Sequence, residues 1–164
     1  MAEILAYTDG SYNKDANLIG GATIIRGDQR PVLNHYLSMT IDGKDFPQLA
    51  SSYQIAGECF GALNAVRYAI DNGLSSIDIY FDYQGVGSWA DHEWKTNSAI
   101  AKYYVTKMDE MRQSIEVNFI KVKAHADNKL NNLADAMAKY ACRVEPELPV
   151  GVHKSQVAEF DLRH

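Results

Sequence analysis

The chain has 164 residues, 46% apolar and 23% charged, a composition ordinary for one soluble domain large enough to bury a core. No stretch approaches the roughly 20 apolar residues of a membrane span, and Met1-Ala2-Glu3 opens no basic-then-apolar leader, so a cytoplasmic protein is expected. The net charge of −5 argues against a nucleic-acid partner, although part of it lies in the acidic stretch after Val144.

Residues 3–9 read as a first strand ending at Asp9, and residues 10–15 as a turn. Residues 20–26 and 32–40 read as two further strands; short connections make the three an antiparallel meander. Residues 41–53 are a loop. The period then becomes helical, with Ile55, Cys59, Leu63, Val66 and Ile70 on one face and Asn72-Gly73 as the stop. Residues 76–81 are almost wholly apolar, as a buried parallel strand is. Helices are expected over 83–90 and 100–111, a strand over 115–122, and a helix over 128–142 with Asp127 as its N-cap. The order predicts an α/β protein: a five-stranded mixed sheet, three strands antiparallel and then two parallel, flanked by helices. One domain would occupy residues 1–143, followed by a tail of uncertain order over 144–164, where Pro146 and Pro149 break regular structure. Cys59 and Cys142 sit in apolar helical context and are expected to be free thiols in a reducing compartment.

Four carboxylates stand where carboxylates are costly. Asp9 and Asp82 each end an apolar strand, and Glu58 and Asp135 lie inside helical apolar segments. No Lys or Arg adjoins any of them in sequence, which suggests divalent cations as their partners. Oxygen-only donors favour Mg²⁺ or Mn²⁺ over Zn²⁺. Two such carboxylates 4 Å apart would repel by about 4 kcal/mol at an effective dielectric near 20, so without metal at least one acid should have a raised pKa.

Five short motifs carry a resemblance: Tyr7-Thr8-Asp9-Gly10-Ser11, Glu58 near the start of the first long helix, Phe81-Asp82-Tyr83-Gln84-Gly85-Val86, Val122-Lys123-Ala124-His125-Ala126, and Asn131-Asn132-Leu133-Ala134-Asp135. Their order and spacing resemble type 1 ribonuclease H over residues 4–143. The resemblance implies the ribonuclease-H-like fold. It also implies endonucleolytic cleavage of the RNA strand of an RNA–DNA hybrid with two Mg²⁺ ions (Mn²⁺ as substitute), leaving a 3′-hydroxyl and a 5′-phosphate. It makes Asp9, Glu58, Asp82 and Asp135 the metal-binding carboxylates and His125 a mobile-loop histidine able to move a proton. By the family pattern Asp9 bridges both ions, Asp82 and Asp135 share the ion that activates water, and Glu58 holds the ion beside the leaving oxygen. Gly10, Ser11, Asn13, Gln54, Trp89 and Trp94 are the candidate substrate contacts. Two bound dications would more than offset the negative charge outside the tail, leaving that part at about +1.

The chain also departs from that family. Gln54 stands where an asparagine is common, Asn132 where a glutamate is common, and the basic, Trp-rich handle is reduced to residues 89–95. No separate hybrid-binding domain fits the length, and a monomer without an obligate protein partner is expected. The competing readings are another nuclease of the same fold (a junction resolvase or a 3′–5′ exonuclease) and a non-catalytic interaction domain. Retention of all four acids speaks against the last.

Overall fold

The computed structural model describes residues 2–27, 35–123 and 128–160. The expected meander forms from β1 (Ile4–Asn13), β2 (Leu18–Arg26) and β3 (His35–Asp42), antiparallel throughout. Next come α1 (Tyr53–Asp71), β4 (Ser76–Phe81), α2 (Gln84–Ala90), α3 (Ala99–Met111), β5 (Glu116–Lys121), α4 (Lys129–Ala141) and β6 (Val157–Glu159). The sheet order is β5-β4-β1-β2-β3-β6, with β4 parallel to β1 and β5 parallel to β4.

Three expectations are corrected. The sheet has six strands, not five: β6 arises inside the expected tail and pairs parallel with β3, and Phe160 N–H extends the ladder by donating to the Ser38 carbonyl oxygen at 2.9 Å. Three residues after two prolines carry no periodic signal of their own; the unpaired edge of β3 supplies the partner. The first turn falls at residues 14–17 rather than 10–15, because β1 continues its pairing with β2 through Asn13. The N-cap of α4 is Asn128, whose Oδ1 accepts from Asn131 N–H; Asp127 lies outside the described residues. Both cysteines are free and buried, as expected. No helix among the described residues is long and apolar enough to cross a membrane.

β2 is buried along all but its last residue because helices cover both faces of the sheet there. Alternation across the pleat decides which side chains meet which helix. Ala22 and Ile24 pack beneath α4 with Met137 and Ala138, while Ile19 and Ile25 join the larger core beneath α1 and α3. Glycines set how closely the helices come. A Cβ on Gly20 would lie 2.3 Å from the Ala138 carbonyl oxygen of α4. On the other face, a Cβ on Gly57 would lie 2.4 Å from the Gly20 carbonyl oxygen, and one on Gly10 would lie 2.1 Å from the Glu58 backbone nitrogen. Gly61, one turn beyond Gly57, would press its Cβ to 2.9 Å from the Ala22 carbonyl oxygen, and the Thr23 hydroxyl donates to its carbonyl at 2.7 Å. The backbones of α1, β1 and β2 are therefore in direct contact.

These contacts are with backbone, which cannot step aside as a flexible side chain can. We expect Gly57→Ala to destabilise the fold by at least about 2–3 kcal/mol, beyond the small gain in helix propensity that alanine brings. Urea denaturation of the variant beside the native chain checks this; unchanged stability would mean that α1 can lift off the sheet freely.

Candidate active site

β1 and β4 run parallel with Tyr7 opposite Tyr80. Asp9 and Asp82 each follow two residues later, so they stand side by side at the same level, Asp9 within β1 opposite Ala22 and Asp82 just past the end of β4. The tyrosine rings below them stack at 4.7 Å with an interplanar angle of 11°. The repeated Tyr-x-Asp pattern, read together with a parallel pairing, was the signal in the sequence that could have placed the two acids side by side. Glu58 arrives from the first turns of α1, held there by the Gly10 contact. Its neighbour one turn earlier, Gln54, is exposed at the rim.

One carboxylate oxygen each from Asp9, Glu58 and Asp82 lies within 4.8 Å of the others. Asp9 and Glu58 are only 3% and 4% exposed. The polar partners there are few: Gly10 N–H donates to Asp9 Oδ1 at 2.9 Å, and Glu58 Oε2 is buried with no partner. Burial pushes Asp9 up to about 7; a hydrogen bond with Glu58 opposes the rise, and the charges of Asp82 and Asp135 add to it. Burial, then the negative charge of Asp9, hold Glu58 well above the usual carboxylate range. Asp82 is raised too, by burial first, with the positive charge of Lys121 working against it. The expectation of a raised acid holds for all three.

Asp135 behaves differently. Its charge reaches Asp9 and Asp82, but it is outside the triad. Its Oδ2 is 3.0 Å from Lys139 Nζ, one turn further along α4, in a half-exposed ion pair. The expectation that no cation adjoins the four acids is corrected here. Asp135 and Lys139 stand at the (i, i+4) spacing that brings helix side chains together, a signal present in the sequence and missed. The resemblance grouped Asp82 with Asp135, whereas the structure brings Asp82 to Asp9 and Glu58. Asn131, one turn before Asp135, is buried with its side-chain oxygen unpartnered.

The other candidates are dispersed. Asn13 is occupied within the fold: its Nδ2 donates to the Cys142 carbonyl oxygen at the end of α4, and its Oδ1 accepts from Ala16 N–H. Gly10 faces Glu58 and α1. Ser11 is half-buried on β1, opposite Gly20. Trp89 is buried against Tyr83, and Trp94 lies edge-on to Trp89 while remaining 42% exposed. His125 lies outside the described residues. A cavity of about 650 Å³ between β3, β6 and the end of α4 is lined by none of the four acids.

The triad fits a divalent cation. Its donors are all hard oxygens, its charges repel one another without a counter-ion, and Glu58 Oε2 is a buried acceptor with no donor. The RNase H family profile matches residues 1–143. The chain belongs to the RNase H family. Membership makes it an enzyme of the ribonuclease H kind. Curated relatives agree across nearly their whole length. The chain is similar to a ribonuclease H of Clostridium botulinum, 27% identical over 152 residues that cover 86% of this chain and 96% of that one. It is also similar to one of Chlorobium luteolum, 29% identical over 155 residues, covering 88% and 98%. Among solved structures, RNase H1 of the halophilic archaeon Halobacterium salinarum superposes with a TM-score of 0.70 at 18% identity, covering 87% of this chain and 98% of that one. LC11-RNase H1 in complex with an RNA/DNA hybrid superposes at 0.68 and 15% identity, covering 86% and 97%. These two likenesses bear on the fold, which is that of the RNase H structures.

A carboxyl with a higher pKa folded than unfolded binds its proton more tightly when folded. The stability it contributes is complete below its unfolded pKa, about 4 for Asp9, and is lost as pH rises to about 7. With chelator present, we expect the native chain to lose a few kcal/mol across that window, each pH unit being worth about 1.4 kcal/mol. Asp9→Asn should show a shallower decline and be the more stable of the two above pH 7. Parallel slopes in urea denaturation between pH 4.5 and 7.5 would refute the burial of an uncompensated acid at this position.

Proposed function

We propose that the chain is a divalent-metal-dependent endonuclease that hydrolyses the RNA strand of RNA–DNA hybrids, leaving a 3′-hydroxyl and a 5′-phosphate. The observation that carries this reading is the triad of buried Asp9 and Glu58 with half-buried Asp82, and its unpartnered Glu58 oxygen, in a chain of the RNase H family. A hybrid-bound LC11-RNase H1 of the same fold supports the substrate class.

Asp9, Glu58 and Asp82 would hold one cation, and Asp9 with Asp135 a second, both Mg²⁺ or Mn²⁺ by the chemistry of the donors. Two bound dications supply Lewis-acid activation of water and neutralisation of the leaving oxygen in an in-line displacement. The chain supplies the rest. β1 holds Asp9 within its ladder and β4 holds Asp82 just past its end, both beside the stacked tyrosines, so the acids need little reorganisation. α1 closes one side and keeps bulk water from Glu58. Gln54, exposed one turn before Glu58, offers an amide to a 2′-hydroxyl, the group that separates RNA from DNA. The exposed face of Trp94 offers a stacking or backing surface to the other strand. We assign His125 the proton-moving role given by the family pattern, at a pH where imidazole titrates.

The test is cleavage of a uniformly labelled RNA–DNA hybrid beside double-stranded RNA, double-stranded DNA and a four-way DNA junction, with Mg²⁺ and with chelator. We expect cleavage of the hybrid's RNA strand alone, dependent on metal. Asp9→Asn should lower the rate by more than about a hundredfold, roughly 2.7 kcal/mol of transition-state stabilisation, while its far-UV spectrum stays native. Cleavage of the junction in preference to the hybrid would replace this reading with that of a resolvase.

A further inference from the structure

Resting on the two-cation reading above, we propose that Lys139 is a resident counter-ion for Asp135 and sets the affinity of the second cation. The Lys139 ammonium at Asp135 Oδ2 opposes the approach of a cation to that carboxylate.

The two halves of the acidic cluster are built differently. In the triad Asp9 and Glu58 are buried and Asp82 is half-buried, and Glu58 Oε2 meets no hydrogen-bond donor. Lys121, whose field reaches Asp82, spends its ammonium on the Val122 carbonyl oxygen at 2.8 Å and forms no ion pair with the triad. A cation entering there displaces no ammonium. Asp135 is already neutralised by a partner 3.0 Å away. That partner sits one helical turn C-terminal, in the acid-then-base order that suits a helix. A backbone this regular keeps Lys139 at hand whatever ion is bound, so the ammonium acts as a tethered competitor. The pair is open to solvent, with Lys139 at 43% and Asp135 at 49% exposure. Exchange is therefore unobstructed, and the ion pair is weak enough to yield to a dication at sufficient concentration. Lys139 also lies in the field of Asp9 and Glu145, so once displaced it still faces a negative surround. The outcome is one tight site and one graded site, the second opened by cation concentration.

The experiment is calorimetric titration of Mg²⁺ into the metal-free full chain at low ionic strength, for the native protein, Lys139→Met, Lys139→Arg and Asp135→Asn. Lys139 is half-exposed, so the methionine variant should fold, and its thermal transition without metal verifies this. We expect a tight and a weak class of site in the native chain. Lys139→Met should tighten the weak class about ten- to thirtyfold, the repulsion an ammonium roughly 4–6 Å away exerts on a dication in water. The tight class should not move. Lys139→Arg keeps the charge and should titrate as the native chain does. Asp135→Asn should abolish the weak class. If that loss occurs but Lys139→Met titrates like the native chain, the competitor role is overturned and the two-cation reading survives. If Asp135→Asn itself leaves the titration unchanged, Asp135 is no ligand and the underlying reading fails with it.

Discussion

The backbone contact between α1 and the β1–β2 hairpin governs everything the acidic site does. Gly10, Gly57 and Gly61 remove the side chains that would otherwise separate helix and sheet. Glycine inside a helix costs about 1 kcal/mol relative to alanine, and α1 carries two of them one turn apart. The gain is position: Glu58, immediately after Gly57, is carried down to Asp9 and Asp82. Thr23 secures the same approach by donating to the Gly61 carbonyl. An ordinary helix–sheet spacing of about 10 Å, set by intervening side chains, would have left Glu58 too far out to share a cation with a strand-end aspartate.

That contact creates an electrostatic problem that the protein alone leaves unsolved. Three desolvated carboxylates with few donors are protonated more readily than free ones, and the metal-free fold is strained against neutral pH. Structural acids would be expected to recruit an ion-paired arginine or lysine. Among the described residues no base pairs with the triad: Lys121 acts on Asp82 through its field, and Lys139 pairs with Asp135, which is outside the triad. Stability is given up at a triad that fits a divalent cation, as is usual for active sites.

Much of this was legible in the sequence, for identifiable reasons. A carboxylate ending an apolar run is a strong sign, and it occurs twice, at Asp9 and Asp82. Helical periodicity brought out α1 and α4, and β-branched runs brought out β4. The misreadings also have causes. Gly10-Ser11 looks like a turn because glycine and serine favour turns, yet Gly10 lies in a strand and is small for the sake of α1. Asn13 looked available to substrate, but a helix end elsewhere in the chain takes its amide, a contact 129 residues away. β6 has no periodicity because three residues suffice once an edge awaits them. Lys139 was overlooked because adjacency was sought along the chain rather than along the helix.

The net charge of −5 becomes consistent with a polyanionic substrate only through the same cluster. An acidic protein repels phosphate at long range, and its acids repel it most strongly at the site. Each dication bound there reverses the local sign while leaving the rest of the surface unchanged. Cation and proposed substrate therefore bind with positive coupling, and linkage requires each to raise the affinity of the other by the same factor. With Lys139 holding the second position closed at low cation concentration, the arrival of a phosphodiester supplies the extra negative charge that favours the second cation over the tethered ammonium. On this account substrate would lower the cation concentration at which the second position fills. The reduced handle around Trp94 then has less to do, because metal-mediated contact with the backbone carries part of the grip that basic residues would otherwise provide.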